Sequence, residues 1–262
     1  MTREIAPGTD VLNWKLWHSA SVLAVTAFFV WMAVWRPWGL YASWIVTMAA
    51  LAIFTLIVGR GVTGAWKGAF VDERLRMSLS QLQMIVWTIV IVAAFGTMAI
   101  ARAQRDPVTA MDIRVPETVW VLLGISTTSL IGSPLIKNAK KDTPTNSIKA
   151  DSLVWAQGVA ASDVTVEGQV VMNKSIHQAS LADVFMGETV DNFTLLDIGK
   201  MQMFFFTVVL VLAYTTAISA QMRAGSTASL PDVGAGMLPL LGISHAGYLM
   251  SKVASSSSGA QR

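Results

Sequence analysis

The stretch QLQMIVWT at residues 81–88 returns as KMQMFFFT at residues 200–207. Two further landmarks follow both copies in the same order: a Pro-acid pair, at Pro116-Glu117 and Pro231-Asp232, and the pentad LLGIS, at 122–126 and 240–244. Three landmarks in one order at nearly one spacing indicate duplication of a two-segment module. Its period is far longer than that of a solenoid repeat.

The composition is that of an integral membrane protein. Of the 262 residues, 53% are hydrophobic and only 13% are charged, whereas a soluble domain carries about 25% charged residues. Six apolar segments each approach the ~20 residues that a helix needs to cross the hydrocarbon core, where only internally hydrogen-bonded backbone is stable. They are Leu16–Trp35, Leu40–Val58, Leu79–Ala101, Pro116–Ile136, Lys200–Ala220 and Asp232–Ser251. The sequence therefore predicts an all-α, polytopic membrane protein with six transmembrane helices, an N-terminal hairpin followed by two parallel-repeat hairpins.

The apolar segments divide the chain into five parts. These are an N-terminal transmembrane hairpin (1–61), repeat 1 (62–136), a cytoplasmic connecting segment (137–199), repeat 2 (200–252) and a low-complexity tail expected to be disordered (253–262). Both copies enter the membrane from the same side, so we expect a rotation axis along the membrane normal to relate them. Within the connecting segment, alternation around a glycine predicts a hairpin over 164–172. Residues 180–186 predict a short amphipathic helix on the membrane surface.

The distribution of basic residues predicts the orientation. The N-terminus, residues 60–78, residues 137–200 and the C-terminus together hold 14 of the 19 lysines and arginines. Because excess basic charge marks the cytoplasmic side, both termini are predicted to be cytoplasmic. The net charge of +3 reflects this topology and does not indicate a nucleic-acid partner. The expected partners are the lipid bilayer and other protein subunits, or further copies of the chain in a homo-oligomer.

The repeated residues have direct physical roles. Ser78 and Asp197 are placed as N-caps of the third and fifth helices, and Gln81 completes a capping box with Ser78. Gln83 and Gln202 follow inside the helices, where an amide facing lipid is costly, so we expect each to face protein. Hydrogen bonding between helices is the leading interpretation, and lining of a polar path is the alternative.

The returning helices carry small residues in two stripes. Small residues let membrane helices approach closely, so helix packing is the leading interpretation. A hydroxyl-lined solute path along the serines and Thr127 is the alternative. One stripe comprises Ser126, Ser129 and Ser133 with their counterparts Ser244, Gly247 and Ser251, and the other comprises Gly124, Thr128 and Gly132 with Gly242 and Ala246.

His245 stands where the first copy has Thr127, and it is the one ionisable side chain well inside a predicted helix. A lone intramembrane histidine can relay protons or bind metal. No second histidine or acid lies at a comparable depth, which favours a hydrogen-bonded structural role. The chain has no cysteine, and no cluster offers a nucleophile together with a base. We therefore predict no catalytic residue, no metal site and no cofactor.

With these motifs the chain resembles an uncharacterised family of bacterial inner-membrane proteins. The family pattern is a capping Ser or Asp, a run with Gln between hydrophobic residues that ends in aromatic-Thr, and then a Pro-initiated helix with Leu-hydrophobic-Gly-hydrophobic-Ser. It is carried here by Ser78 to Thr88 with Pro116 to Ser126, and by Asp197 to Thr207 with Pro231 to Ser244. The resemblance implies the duplicated hairpin and a multi-pass location in the bacterial inner membrane. It carries no activity.

Two functional hypotheses follow. The first is a non-enzymatic scaffold or anchoring subunit that presents residues 60–78 and 137–199 to cytoplasmic partner proteins. The second is a small channel or carrier with a polar path between the repeats, lined by Gln83, Gln202, the serines and His245. Ion-coupled transporters carry charged residues near the membrane midplane, and the absence of such residues from the predicted helices favours the scaffold.

Overall fold

The computed structural model describes residues 14–35, 38–141, 155, 158, 164–234 and 236–257. Six long α-helices occupy most of these residues: α1 (Leu16–Trp35), α2 (Leu40–Thr63), α3 (Leu79–Ala103), α4 (Glu117–Lys141), α5 (Ile198–Arg223) and α6 (Met237–Ser257). Helices α1 to α5 are long and apolar enough to cross a membrane, whereas α6, which contains His245 and Lys252, is not among them. The prediction of an all-α membrane protein is confirmed at this level.

Helix α2 continues past the glycines at which the sequence predicts its end. Gly59 and Gly61 lie inside it, and their missing side chains allow close packing. A Cβ on Gly59 would lie 2.7 Å from the backbone nitrogen of Ala69, and one on Gly61 would lie 2.6 Å from the ring of Trp14. The helix ends at Gly64, whose φ of 80° is left-handed. The two earlier glycines therefore serve contacts between segments and not chain reversal.

Helix α6 is displaced toward the C-terminus relative to its prediction. It begins at Met237 and not at Asp232, since the intervening chain includes Gly234 at a φ of 80°. It continues to Ser257, so residues 253–257 are helical and the predicted disordered tail is wrong over that range. The remainder of the tail, 258–262, lies outside the described residues.

The last four helices form a closed ring in the order α3, α4, α6, α5, while α2 packs against α3 and α5 and α1 packs against α2. A half-turn about the membrane normal would place α3 beside α6 and α4 beside α5. The observed order instead sets α3 beside α5 and α4 beside α6. The two hairpins thus lie side by side, and these contacts do not follow the expected rotation.

Large side chains fill the space between the helices. Each of the following is at most 2% exposed: Trp44 of α2, Trp87 and Met98 of α3, Leu122 of α4, Tyr214 of α5 and Leu241 of α6. Burial of this kind is typical of a packed helical core.

The two ends of the bundle have different structures. Residues 104–116 and 224–236 form one end, which we call the short-loop face. There the backbone of Arg114 donates to the carbonyl of Ala228 at 3.1 Å and accepts from the N–H of Leu230 at 2.9 Å. Residues 64–78 and 164–197 form the other end, which we call the connector face. It holds most of the described structure outside the helices.

The connector face is folded against the bundle. The predicted hairpin is confirmed, since β1 (Val164–Glu167) pairs antiparallel with β2 (Val170–Asn173). The short helix predicted at 180–186 is a 3-10 helix, Leu181–Phe185. Its Val184 is buried with Leu79 and Met203, at the beginnings of α3 and α5. This element is therefore packed under the helix ends.

Candidate functional site

Besides Lys140 at the end of α4, six charged side chains are buried at the connector face and paired among themselves. Each is at most 8% exposed: the acids Asp72, Asp183 and Glu188 and the bases Arg74, Arg76 and Lys200. We call this set the ion cluster. Its three acids and three bases cancel in formal charge, which is the condition under which buried charges are tolerated.

Ion pairs connect the members of the cluster. Two guanidinium nitrogens of Arg74 donate to one carboxylate oxygen of Asp72, at 3.0 and 2.9 Å. Arg74 also lies 3.3 Å from Glu188, which in turn lies 3.0 Å from the amine of Lys200. The loop before α3 is thereby linked to the first turn of α5.

A second pair binds the same two segments. Arg76 donates to a carboxylate oxygen of Asp183 at 3.1 Å and to the carbonyl of Phe193 at 3.2 Å. The other carboxylate oxygen of Asp183 accepts from the N–H of Met77 at 3.2 Å. Asn173 of β2 joins the arrangement by donating to the carbonyls of Arg74 and Leu75, both at 2.9 Å.

Electrostatics differ between the two arginines. Burial acts to lower the pKa of Arg74, but the carboxylates of Glu188 and Asp72 more than offset it, and the pKa lies above its ordinary value. Burial is also the largest effect on the pKa of Arg76. Its effect exceeds that of the nearby carboxylate of Asp183, so the pKa of Arg76 lies below its ordinary value. Arginine stays protonated in proteins, so Arg76 is a buried cation that depends on Asp183.

The segments that lead into α3 and α5 share one hydrogen-bond pattern. The N–H of Ser78 donates to the carbonyl of Phe70 at 2.8 Å, and the N–H of Asp197 donates to the carbonyl of Phe185 at 2.7 Å. Each of these phenylalanines ends a 3-10 helix. An isolated bridge follows each one, Val71 with Met77 and Met186 with Leu196. The second loop is longer, and it supplies Glu188 to the ion cluster.

Of the two predicted N-caps, only one forms. The side chain of Asp197 accepts from the N–H of Lys200 at 3.1 Å, as predicted. Ser78 stands at the N-cap position of α3 but makes no capping hydrogen bond, so the predicted capping box with Gln81 is wrong. The chain before α3 is anchored instead by Asp183, which lies far along the sequence.

The two repeated glutamines lie in opposite environments. Gln83 is buried and donates to the hydroxyl of Thr207 at 2.5 Å, which links α3 to α5 as predicted. Gln202 is exposed on α5, so it makes no contact between helices of this chain, and its predicted contact with protein stays a prediction. The reason is a rotated helix face. The buried residues of α3 include Gln83 and Trp87, whereas those of α5 include Met203 and Thr207, one position later in the aligned motif and about 100° around the helix.

The serines of α4 face protein, as predicted. Ser126, Ser129 and Ser133 are each at most 2% exposed, and Ser244 of α6 is 6% exposed. The hydroxyl of Ser129 lies 2.5 Å from Nδ1 of His245, which is itself buried. This contact joins α4 to α6 near the middle of both helices, and the role of His245 stays a prediction. Only the backbone of Ser251 is described, within α6.

The glycine stripe packs closely only at Gly132, where an added Cβ would lie 3.4 Å from the side chain of Leu249. A Cβ added to Gly124 would meet nothing within 4 Å, and one on Gly242 would meet only Ile125 at 3.9 Å. Gly247, of the serine stripe, is equally open. Gly124, Gly242 and their neighbours line a cavity of about 400 Å³ between α4 and α6, and Ser129 and His245 also line it. We call this cavity the α4–α6 groove. Small residues here leave open space at the bundle surface.

The sequence interpretation missed the ion cluster. Its members are spread from Asp72 to Lys200, so no local spacing brings them together. The available signal was the mixed charge of residues 60–78 and the acids that precede the fifth helix. Within the described residues, no group of three or more histidines and acids is placed to hold a metal ion.

No family model, no curated protein and no solved structure matches this chain. The resemblance to a bacterial inner-membrane family therefore stays a prediction.

Proposed function

We propose that this protein is a membrane-embedded scaffold or anchoring subunit that presents its connector face to partner proteins in the cytoplasm. The ion cluster is the observation that carries the proposal. It ties the loop before α3, the β-hairpin and the segment before α5 into one unit at the helix ends. Such a unit has a defined shape on which a partner can bind.

The energetics of the cluster support a role in specifying shape. Replacing a buried ion network by apolar residues is often neutral or stabilising, so such a network is weak evidence for stability. A defined arrangement of segments is a better account of six buried charges at this place. Exposed leucines lie beside them, since Leu181, Leu195 and Leu196 are 61%, 57% and 59% exposed. We propose these side chains as the contact surface for the partner.

The placement in the membrane is part of the same proposal. We propose that α6 crosses the bilayer together with α1 to α5, that the connector face is cytoplasmic and that the membrane is a bacterial inner membrane. The basic residues of the connector segments support this orientation. The shared hydrogen-bond pattern before α3 and α5 supports duplication of the module.

The alternative of a channel or carrier has less support. Trp87, Leu122, Tyr214 and Leu241 fill the described interior of the four-helix ring. Gln83 and Gln202 would line one path, but Gln83 is buried between α3 and α5 whereas Gln202 is exposed. Among the described residues, the two glutamines and the serines of α4 do not form one continuous polar surface.

Site-specific photocrosslinking in native membranes tests the scaffold. A photoreactive residue at Leu181 or Leu195 is expected to give adducts of defined mass with a partner. The matched control is Val108, which is 93% exposed on the short-loop face. Adducts from the connector face alone support the proposal. The proposal is contradicted if both faces give adducts to the same extent. It is also contradicted if neither face gives adducts and the protein purifies alone and monodisperse.

A further inference from the structure

Among the described side chains that line the α4–α6 groove, one nitrogen has no hydrogen-bond partner. The hydroxyl of Thr128, on the groove wall, donates to the carbonyl of Gly124 at 2.8 Å and is satisfied within its own helix. His245 is 4% exposed and lines the groove, with its Nδ1 against Ser129. Its Nε2 has no hydrogen-bond partner among the described residues. The groove therefore combines an apolar surface with one unused imidazole nitrogen.

The contact between Ser129 and His245 fits two imidazole tautomers, in which Nδ1 either accepts or donates. We infer that Nδ1 accepts the hydroxyl proton of Ser129, because the described residues offer that proton no other acceptor. With that proton directed to Nδ1, the ring N–H lies on Nε2, which makes it a donor. A donor at membrane depth without an acceptor is costly, so a ligand that supplies an acceptor is favoured there.

Depth in the bilayer selects the chemistry of that ligand. Helix α4 has 25 residues, Glu117–Lys141, and Ser129 is the central one. The apolar part of α4 ends at Ile136, so at 1.5 Å per residue Ser129 lies about 10 Å inside the nearer end of that part. The hydrocarbon core is about 30 Å thick, so ester carbonyls of phospholipids lie roughly 15 Å from its middle. An acceptor that reaches His245 must belong to a molecule residing within the hydrocarbon.

We propose that the α4–α6 groove binds a lipophilic carbonyl compound of the isoprenoid-quinone class, with a ring carbonyl accepting a hydrogen bond from Nε2 of His245. The volume of about 400 Å³ lies within the range of small-molecule sites. Val121, Ile125 and Leu249 provide apolar walls, and Gly124, Gly242 and Ala246 leave room for a flat ring. This site lies apart from the connector face, and it rests on the proposed crossing of the bilayer by α6.

The test is binding of decylubiquinone to the full-length chain in lipid nanodiscs, with an azido derivative to map the site. We expect saturable binding and labelling of peptides from α4 and α6. Decylbenzene, which lacks the carbonyl, should not compete at equal concentration. The substitution His245→Phe should weaken binding about three- to tenfold, as expected for the loss of one intramembrane hydrogen bond.

A matched pair of variants separates the groove from the rest of the bundle surface. Gly124→Leu fills the groove and should abolish binding. Gly247→Leu introduces the same side chain at an equally open position outside the groove, and it should bind as the parent does. Unchanged binding by Gly124→Leu or by His245→Phe would overturn the proposal, as would equal competition by decylbenzene. Covalent capture of a second polypeptide from a photoreactive residue at position 124, in place of quinone labelling, would assign the groove to a partner helix. If Gly124→Leu fails to fold, the His245→Phe and decylbenzene measurements still decide.

Discussion

Gln83 and Gln202 show how identical residues of a repeated motif acquire different roles. Gln83 links two helices through Thr207, while Gln202 lies at the protein surface. The difference arises because the buried face of α5 is shifted by one residue relative to that of α3, which brings Thr207 to the position that meets Gln83. The motif alone does not reveal this shift, because both copies carry the same alternation of apolar and polar residues.

The Gln83–Thr207 contact predicts an effect on stability. Thr207→Val keeps the side-chain shape but removes the acceptor of the Gln83 amide, so the free energy of unfolding should fall by about 1 kcal/mol. Thr216→Val is the control, since Thr216 is exposed on the same helix and donates only to the carbonyl of Leu212. Unfolding in mixed micelles by titration with sodium dodecyl sulfate measures both. Equal effects of the two substitutions would show that the interhelical bond contributes nothing.

Helix α2 illustrates the same issue at the scale of an element. Its glycines indicate a turn when only the sequence is considered, yet the helix runs through them. They are small because Ala69 and Trp14 approach them closely. Close approach by residues of other segments is a tertiary property, so the end of α2 could not be predicted from its own residues.

Adding one methyl group to α2 tests this account. Gly59→Ala places a Cβ 2.7 Å from the backbone nitrogen of Ala69, and we expect a loss of about 1–3 kcal/mol because a backbone atom cannot move aside easily. In α3, Gly96→Ala meets nothing within 4 Å and should be neutral or slightly stabilising. Thermal unfolding in detergent compares the two variants. A Gly59→Ala protein as stable as Gly96→Ala would contradict the packing role.

At the scale of the whole molecule, the ion cluster joins parts of the chain that are far apart in sequence. Lys200 was predicted only as the beginning of the fifth helix, and Arg74 and Arg76 only as basic residues of a cytoplasmic loop. Burial made each of them dependent on a distant acid. The cluster therefore determines how the connector face sits on the membrane helices.

Disruption of one buried pair should be costly, and removal of the remaining charge should restore part of the loss. Arg76→Met leaves Asp183 buried without its cation, for an expected loss of about 3–5 kcal/mol. Adding Asp183→Asn removes the unpaired charge, so the double variant should be more stable than Arg76→Met alone. The control Lys141→Met breaks the partly exposed pair with Glu167, which should cost less than about 1 kcal/mol. Coupling between Arg76 and Asp183 would be refuted if the double variant lost the sum of the losses measured for Arg76→Met and Asp183→Asn alone.

The orientation of the whole molecule can be measured with single cysteines, because the natural chain contains none. In intact bacterial cells, a membrane-impermeant maleimide should label Val108→Cys, on the short-loop face. It should label Leu181→Cys, on the connector face, only after the membrane is opened. Both positions are well exposed, so accessibility within the protein does not limit the reaction. The reverse pattern would place the connector face outside the cytoplasm.

The sequence by itself determined the membrane class, the position of each long helix to within about six residues and the hairpin at 164–172. These features depend on local apolar length and on alternation, which are visible in any short window of the chain. Tertiary structure alone decided which face of α5 is buried, why Gly59 and Gly61 are small, and that six scattered charges meet at the connector face. The physical reason is that burial of a side chain depends on neighbours supplied by other segments. The repeat specifies two similar helices, and only their packing against different neighbours gives Gln83 and Gln202 different surroundings.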